Sequence, residues 1–205
     1  MCANILRMSP AAKTAQAQAR AQARTRTLSA QPLNAGDFAL YGWMLDTEQA
    51  FAGDAGRAIN AGTSRRADLP GTLSLSAAGG EPLATVFRAR AQSPVGPWRM
   101  LERHCLGTQT FVPIGHGEQG DATARQAVCV LLVALGADTP EAATLRAFVV
   151  QPHQAFTLKP GTWHHPLIAL RDSDFLVIER RAAQEDCEIH HLQPPVLVRL
   201  EGGAA

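Results

Sequence analysis

LERHCLGTQTFVPI, residues 101–114, places Glu102, His104 and Gln109 around a Gly107 turn. In a strand, alternate side chains share a face, so Glu102 and His104 point one way and Leu101 and Arg103 the other. Past Gly107, Gln109 and Phe111 can return to the side of His104. A carboxylate, an imidazole and an amide are thereby expected to converge inside a barrel. Arg103, on the opposite face, is expected at a surface or an interface.

A second stretch, KPGTWHHPLIAL at 159–170, couples a Pro-Gly turn to an apolar run. Trp163 reads as a large packing element. His164 and His165 fall on opposite faces, so one imidazole can look into a cavity while the other finds a backbone partner or solvent. Between and around these stretches, short apolar runs recur at 85–89, 100–104, 110–114, 127–135, 145–150, 155–158, 167–170, 175–179 and 196–200. They are separated by Gly, Pro, Asp or His, and helical periodicity is weak outside 140–145 and the N-terminal tail. Closely spaced short strands of this kind predict a mainly all-β sandwich or barrel with a few short helices.

The chain has 205 residues and a formal charge of +1, and 46% of it is hydrophobic. That suffices for one core. Near-neutral charge argues against a nucleic-acid partner, and no apolar run approaches the roughly 18 residues of a membrane span. The four cysteines form no C-x-x-C pair, which reads as a reduced, cytoplasmic protein. Residues 1–30 contain five basic residues and no acid, with the low-complexity run AQAQARAQAR. They are expected to form a disordered tail, leaving 31–205 as a single domain.

Glu102-x-His104-x4-Gln109 and Pro160-Gly161-Thr162-Trp163-His164 are similar to the two metal-site motifs of cupin barrels. The combination is more specific than that. LERHCLGTQTFVPI, VCVLLVALGADTPEAATLRAFVV, QAFTLKPGTWHHPLIAL, DFLVIER, EDCEIHHL and INAGTSRRADL, taken together, resemble the ureidoglycolate lyase family, formerly called ureidoglycolate hydrolase. The resemblance implies a cupin-like β-barrel (double-stranded β-helix) and a homodimer. It implies cleavage of (S)-ureidoglycolate to glyoxylate and urea, late in allantoin and purine breakdown, and an association with a divalent metal, nickel in particular. There are departures. The family's R-[FY]-H-D-L reads Arg66-Ala67-Asp68-Leu69 here, without the His, and the insertion around 116–125 is longer and more charged.

Such a substrate needs a base for its hydroxyl proton, a donor for the departing urea nitrogen and a cation for its carboxylate. Glu102, His104 and His164 are the candidate catalytic groups, with Glu102 or His164 as proton acceptor. A metal would sit on His104, Gln109 and His164. Arg66, Arg88 and Arg180 are the candidates for the carboxylate, since a guanidinium pairs with it at two points. Asn60 could bond the urea carbonyl, and Gln109, Trp163 and His165 complete the expected substrate site. Arg180 could instead pair with Glu179 or Asp174. His165 could instead be structural, and His190 and His191 read as a solvated pair. Two other readings remain at this point: a non-catalytic cupin that senses or stores a small carboxylate, and a metal-dependent oxygenase, which would need more imidazoles than His104 and His164 supply.

Overall fold

Strand β8 (Cys129–Ala134) carries CVLLVA, and all six of its residues are buried. A strand covered on one face only would alternate apolar with polar; this one is covered on both. Cys129, Leu131 and Val133 join one core cluster with Phe111, Phe148 and Phe156. Val130, Leu132 and Ala134 join another with Trp98, Leu101 and Trp163. The two clusters are the two spaces that the fold encloses.

The protein is described by a computed structural model over residues 25–68, 70–114 and 127–200. The 116–125 insertion and most of the expected tail lie outside the described residues. The chain begins with β1 (Arg26–Pro32), α1 (Ala35–Phe38), β2 (Gly42–Asp46) and α2 (Thr47–Ala50). The hairpin strands β3 (Arg57–Ile59) and β4 (Ser64–Arg66) follow, then β5 (Glu81–Ala89), β6 (Trp98–Arg103) and β7 (Gln109–Ile114). After β8 come β9 (Arg146–Val150), β10 (Gln154–Leu158), β11 (Trp163–His164) and β12 (Ile168–Ala169). The chain closes with β13 (Ser173–Arg181) and β14 (Glu188–Leu200).

One sheet runs β11-β6-β14-β1-β9-β8-β12, and β11 also pairs with β8. That extra pairing closes six strands into a barrel. The second sheet, β2-β10-β7-β13-β5, covers the barrel wall, and the cluster of Phe111, Val133, Phe156 and Val177 fills the space between. The architecture is the cupin-like, mainly β fold expected from the sequence, with two short helices.

Strand β1 begins at Arg26 and lies parallel to β14 from the Arg26–Val196 pair to the Ala30–Leu200 pair. Residues 26–30 of the expected tail are therefore a stave of the barrel, with Ala30 in its lumen cluster. Composition hid this, because an Arg-Thr-Leu-Ser-Ala strand has little apolar content and takes its stability from partners on two sides. At 140–145, where a helix was conceivable, a single 3-10 turn spans Ala142–Thr144.

Leu132 is fully buried in the lumen. Replacing it by Ala is expected to cost about 2–5 kcal/mol through lost burial and a residual cavity. Val86, 56% exposed on β5, should change stability by less than about 0.5 kcal/mol on the same replacement. Denaturant midpoints of the two variants check this.

Candidate active site

Glu102 and His164 lie on the outer wall of the six-stranded barrel, facing the second sheet, and not inside that barrel as expected. Directly opposed residues of neighbouring strands share a face. His164 pairs with Glu102 on one side and Val133 on the other, and Val133 belongs to the inter-sheet core. Trp163 pairs with Ala134, and both belong to the lumen cluster. The site is thus between the layers, while the lumen itself is packed with Trp98, Leu101 and Trp163.

His164 is 3% exposed. Its Nδ1–H donates to the Thr162 carbonyl at 3.0 Å, which leaves the Nε2 lone pair without a hydrogen-bond partner and buried. That atom lies 3.6 Å from Glu102 Oε1. His104 repeats the arrangement: Nδ1–H donates to the Asp186 carbonyl, and Nε2 is buried without a partner. The two rings are 5.5 Å apart between centroids. In both cases the backbone carbonyl selects the tautomer, since a carbonyl can only accept. Potential ligand atoms of Glu102, His104 and His164 all lie within 4.8 Å of one another.

Burial pushes the Glu102 carboxyl above the usual glutamate range, and the nearby Glu179 adds to the rise against the opposing effect of His104. Burial pushes His164 down to about 4, with His104 and His165 contributing in the same direction. His164 is therefore a neutral acceptor at neutral pH. Cys187, beside Glu102 Oε2 at 3.8 Å, is driven up to about 11 by burial and then by Glu102. It remains a thiol.

His104 and Gln109 line a cavity of about 400 Å³, together with Glu179, Arg180 and Cys187. Glu102 and His164 adjoin it through His104. Gln109 is buried at the start of β7; its Nε2 donates to Glu179 Oε2 at 2.9 Å, and its Oε1 is buried without a partner. Among the ionisable groups, Glu102, which the sequence reading offered as a further member of the polar centre, is the one that clusters with the two imidazoles. Arg180 reaches the cavity by crossing Gly80 and Gly107, where an added Cβ would lie 2.3 and 2.7 Å from its side chain. Any larger residue at either position would displace it. Its guanidinium donates to the carbonyls of Ala77 and Ala78, not to Glu179 or Asp174.

Other candidates stand elsewhere. Asn60 is exposed in the turn between β3 and β4, and Arg66 pairs with Asp68 at 2.6 Å. Arg88 pairs with Asp174 at 2.9 Å, five register steps along the β5–β13 ladder from the Leu83–Glu179 pair at the cavity. Trp163 fills the lumen, and His165 packs against Trp98 at 4.6 Å between centroids while its Nδ1–H donates to the Pro166 carbonyl. Arg103 is a correction: it is buried, not at the surface. It pairs with Glu188 at 2.6 Å, and its guanidinium carbon lies 4.4 Å from the Trp163 ring centroid. The cation is accommodated because both its charge and its flat face have partners. His190 is half-buried, 6.0 Å from Trp163 between centroids, and so is not one of a solvated pair.

Glu179, Asp186 and Cys187 are among the cavity residues not identified from the sequence. Glu179 had a readable signal: it shares a face with Phe175 and Val177 along β13, and both of those are buried in the inter-sheet core. Asp186 and Cys187 follow a polar loop with no period. Asp186 also accepts from the backbone N–H groups of Cys105 and Leu106, at 2.8 and 2.6 Å, and so fixes the turn that carries His104.

A cupin-like barrel with one carboxylate and two tautomer-fixed imidazoles beside a small cavity belongs to a class of folds whose site can accept protons or hold a cation. Within that class the chain belongs to the ureidoglycolate lyase family, whose model matches residues 25–199. It is 36% identical over 166 residues to a ureidoglycolate lyase of Azotobacter vinelandii, covering 80% of this chain and 92% of the relative. It is 36% identical to one of Burkholderia mallei, covering 76% and 83% respectively. A Pseudomonas putida relative of the same name is 31% identical, with 81% and 92% covered. The chain is thus a lyase by family, as its sequence motifs implied. No helix among the described residues is long and apolar enough to cross a membrane.

The burial of His164 predicts an acid-side loss of stability in chelator-treated protein. The unfolded chain binds a proton at the ordinary histidine pKa, about 6.5, whereas the native imidazole resists protonation down to about 4. Its contribution is therefore complete above pH 6.5 and is lost as pH falls towards 4, on the order of 3 kcal/mol in all. Denaturant unfolding across that window should show the loss in the wild type and a flatter profile in His164→Gln.

Proposed function

We propose that this enzyme cleaves (S)-ureidoglycolate to glyoxylate and urea. The observation that carries the reading is the pair of buried imidazoles whose unpartnered Nε2 atoms meet beside Glu102. The substrate carbon bears a hydroxyl and a ureido nitrogen. When the hydroxyl loses its proton, the oxygen forms the aldehyde carbonyl and the C–N bond breaks. The departing nitrogen then takes up a proton. Glu102 takes the hydroxyl proton and returns it to nitrogen, so one residue serves first as base and then as acid. Its raised pKa suits both roles better than that of an ordinary glutamate. His104 and His164 accept hydrogen bonds at Nε2 and hold the substrate in line. Arg180 uses two of its N–H groups on backbone carbonyls; the others are available to the substrate carboxylate.

The same three groups fit a divalent cation. Two buried imidazole nitrogens without hydrogen-bond partners, next to a carboxylate, form a donor set suited to first-row metals. Glu102, His104 and His164 would hold the ion, which would make the substrate hydroxyl more acidic. Nickel is the ion that the family resemblance suggests. That resemblance also supports a homodimer, and the lack of any paired-cysteine motif a cytosolic location; neither a nucleic acid nor a membrane is a proposed partner.

Glyoxylate release from ureidoglycolate tests the proposal. His104→Ala and His164→Ala should each lose at least about 100-fold in kcat/KM, with metal content measured on the same samples. Chelation should lower the rate only if an ion is present. Glu102→Gln should lose about 10²- to 10⁴-fold in kcat. In the wild type the acidic limb of kcat/KM should lie above the ordinary glutamate range, because the base must be ionised and its pKa is raised; the limb should vanish in Glu102→Gln. A ligand-induced thermal shift without glyoxylate would replace this reading with a non-catalytic binder.

A further inference from the structure

We propose that Glu179 is a positioning residue that locks the Gln109 amide with its carbonyl oxygen as an unpaired acceptor, so that the site selects ligands bearing a carbamoyl NH2 over those with an isosteric methyl. The inference rests on the ureido-acid reading above and specifies how that group is recognised.

The argument begins with amide symmetry. A glutamine side chain can rotate by half a turn and exchange its donor for its acceptor at little steric cost. At position 109 the exchange is blocked. Nε2 donates to Glu179 Oε2 at 2.9 Å, and a carboxylate has no hydrogen to give back. A flipped amide would set oxygen against oxygen. Oε1 must therefore point away from Glu179, and there it is buried without a hydrogen-bond partner. Both residues line the cavity beside His104. The lock is also rigid: Ile178 pairs with Thr110 across β13 and β7, so Glu179 and Gln109 sit one step further along the same ladder.

The other partnerless groups of the site have the same polarity. With Nδ1 of His104 and His164 committed to backbone carbonyls, each Nε2 is an acceptor. Three buried acceptors call for a ligand that supplies hydrogens or positive charge. A cation answers the two imidazoles. The Gln109 oxygen, a neutral amide oxygen, is a weak metal ligand; an N–H answers it. A ureido acid ends in NH2, whereas the corresponding acetamido acid ends in a methyl of similar size and offers no hydrogen there.

N-carbamoylglycine and N-acetylglycine differ only in that group, and neither carries the reacting hydroxyl. Their affinities for the wild-type protein, for Glu179→Gln and for Gln109→Met are to be measured by calorimetry, with Tm recorded for each variant. The wild type should prefer the carbamoyl compound by about tenfold or more. Glu179→Gln can donate to position 109, which frees the flip, so the preference should fall to within about threefold while Tm and N-acetylglycine affinity stay put. Gln109→Met removes the acceptor and should abolish the preference independently. A wild type without preference, including one that binds neither compound, overturns the proposal, as does a preference that survives both substitutions. Glyoxylate release by the same wild-type preparation separates the two claims: preference without turnover removes the lyase reading alone, and turnover without preference removes the lock alone.

Discussion

A strand of two residues holds this site together. β11 hydrogen-bonds to β6 on one edge and β8 on the other, and so closes the barrel. The same two pairings fix His164 opposite Glu102. A register shift by one residue would turn His164 into the lumen and bring Trp163 out. Closure and site geometry are therefore one constraint. The lumen enforces it, because Trp163 fits only where Leu101, Leu132 and Val198 leave room. The Pro160-Gly161 turn feeds this strand: the Gly161 N–H donates to the His104 carbonyl at 2.7 Å, tying the two histidine-bearing segments before either reaches the site.

Within that frame the chemistry depends on where hydrogens are absent. Buried polar atoms are ordinarily satisfied, and here His104 Nε2, His164 Nε2 and Gln109 Oε1 are not. Each is held in that state by a partner that can only accept: two backbone carbonyls and one carboxylate. The fold could have relieved all three by rotating a ring or an amide, and those partners forbid it. Glu102 is drawn into the same logic, since burial disfavours its charge and raises its proton affinity. The result is a group of acceptors whose satisfaction has to come from outside the chain.

Much of this was legible in the sequence, and for physical reasons. The two-sided burial of β8 shows as an unbroken apolar run. Alternation separates His164 from His165 and Glu102 from Arg103, and the structure puts each pair on opposite faces. The features that escaped depend on distant partners. Arg103 reads as a surface residue because its compensation, Glu188, lies 85 positions away. Arg88 likewise has its carboxylate partner, Asp174, 86 positions away. Asp186 holds the His104 tautomer through its backbone carbonyl, a role that no side-chain pattern can encode. Glu179 could have been reached by carrying the alternation of Phe175 and Val177 one step further.

Arg103 shows how the lumen reaches the site. It stands between Glu102 and His104 in the chain, as Trp163 stands next to His164. Arg103 and Trp163 stack on one side of the barrel wall, while their neighbours meet on the other. Arg103 is pinned further by Glu188 and by the carbonyls of Gly136 and Ala137, and Trp163 by its own bond to Gly136 at 3.1 Å. Because alternate residues of a strand cannot move independently, fixing the anchors fixes the functional groups between them. Glu102, His104 and His164 can thus do without direct hydrogen bonds to one another, and the two imidazoles keep their Nε2 atoms free, because the contacts that set their spacing are made on the far face of the same two strands.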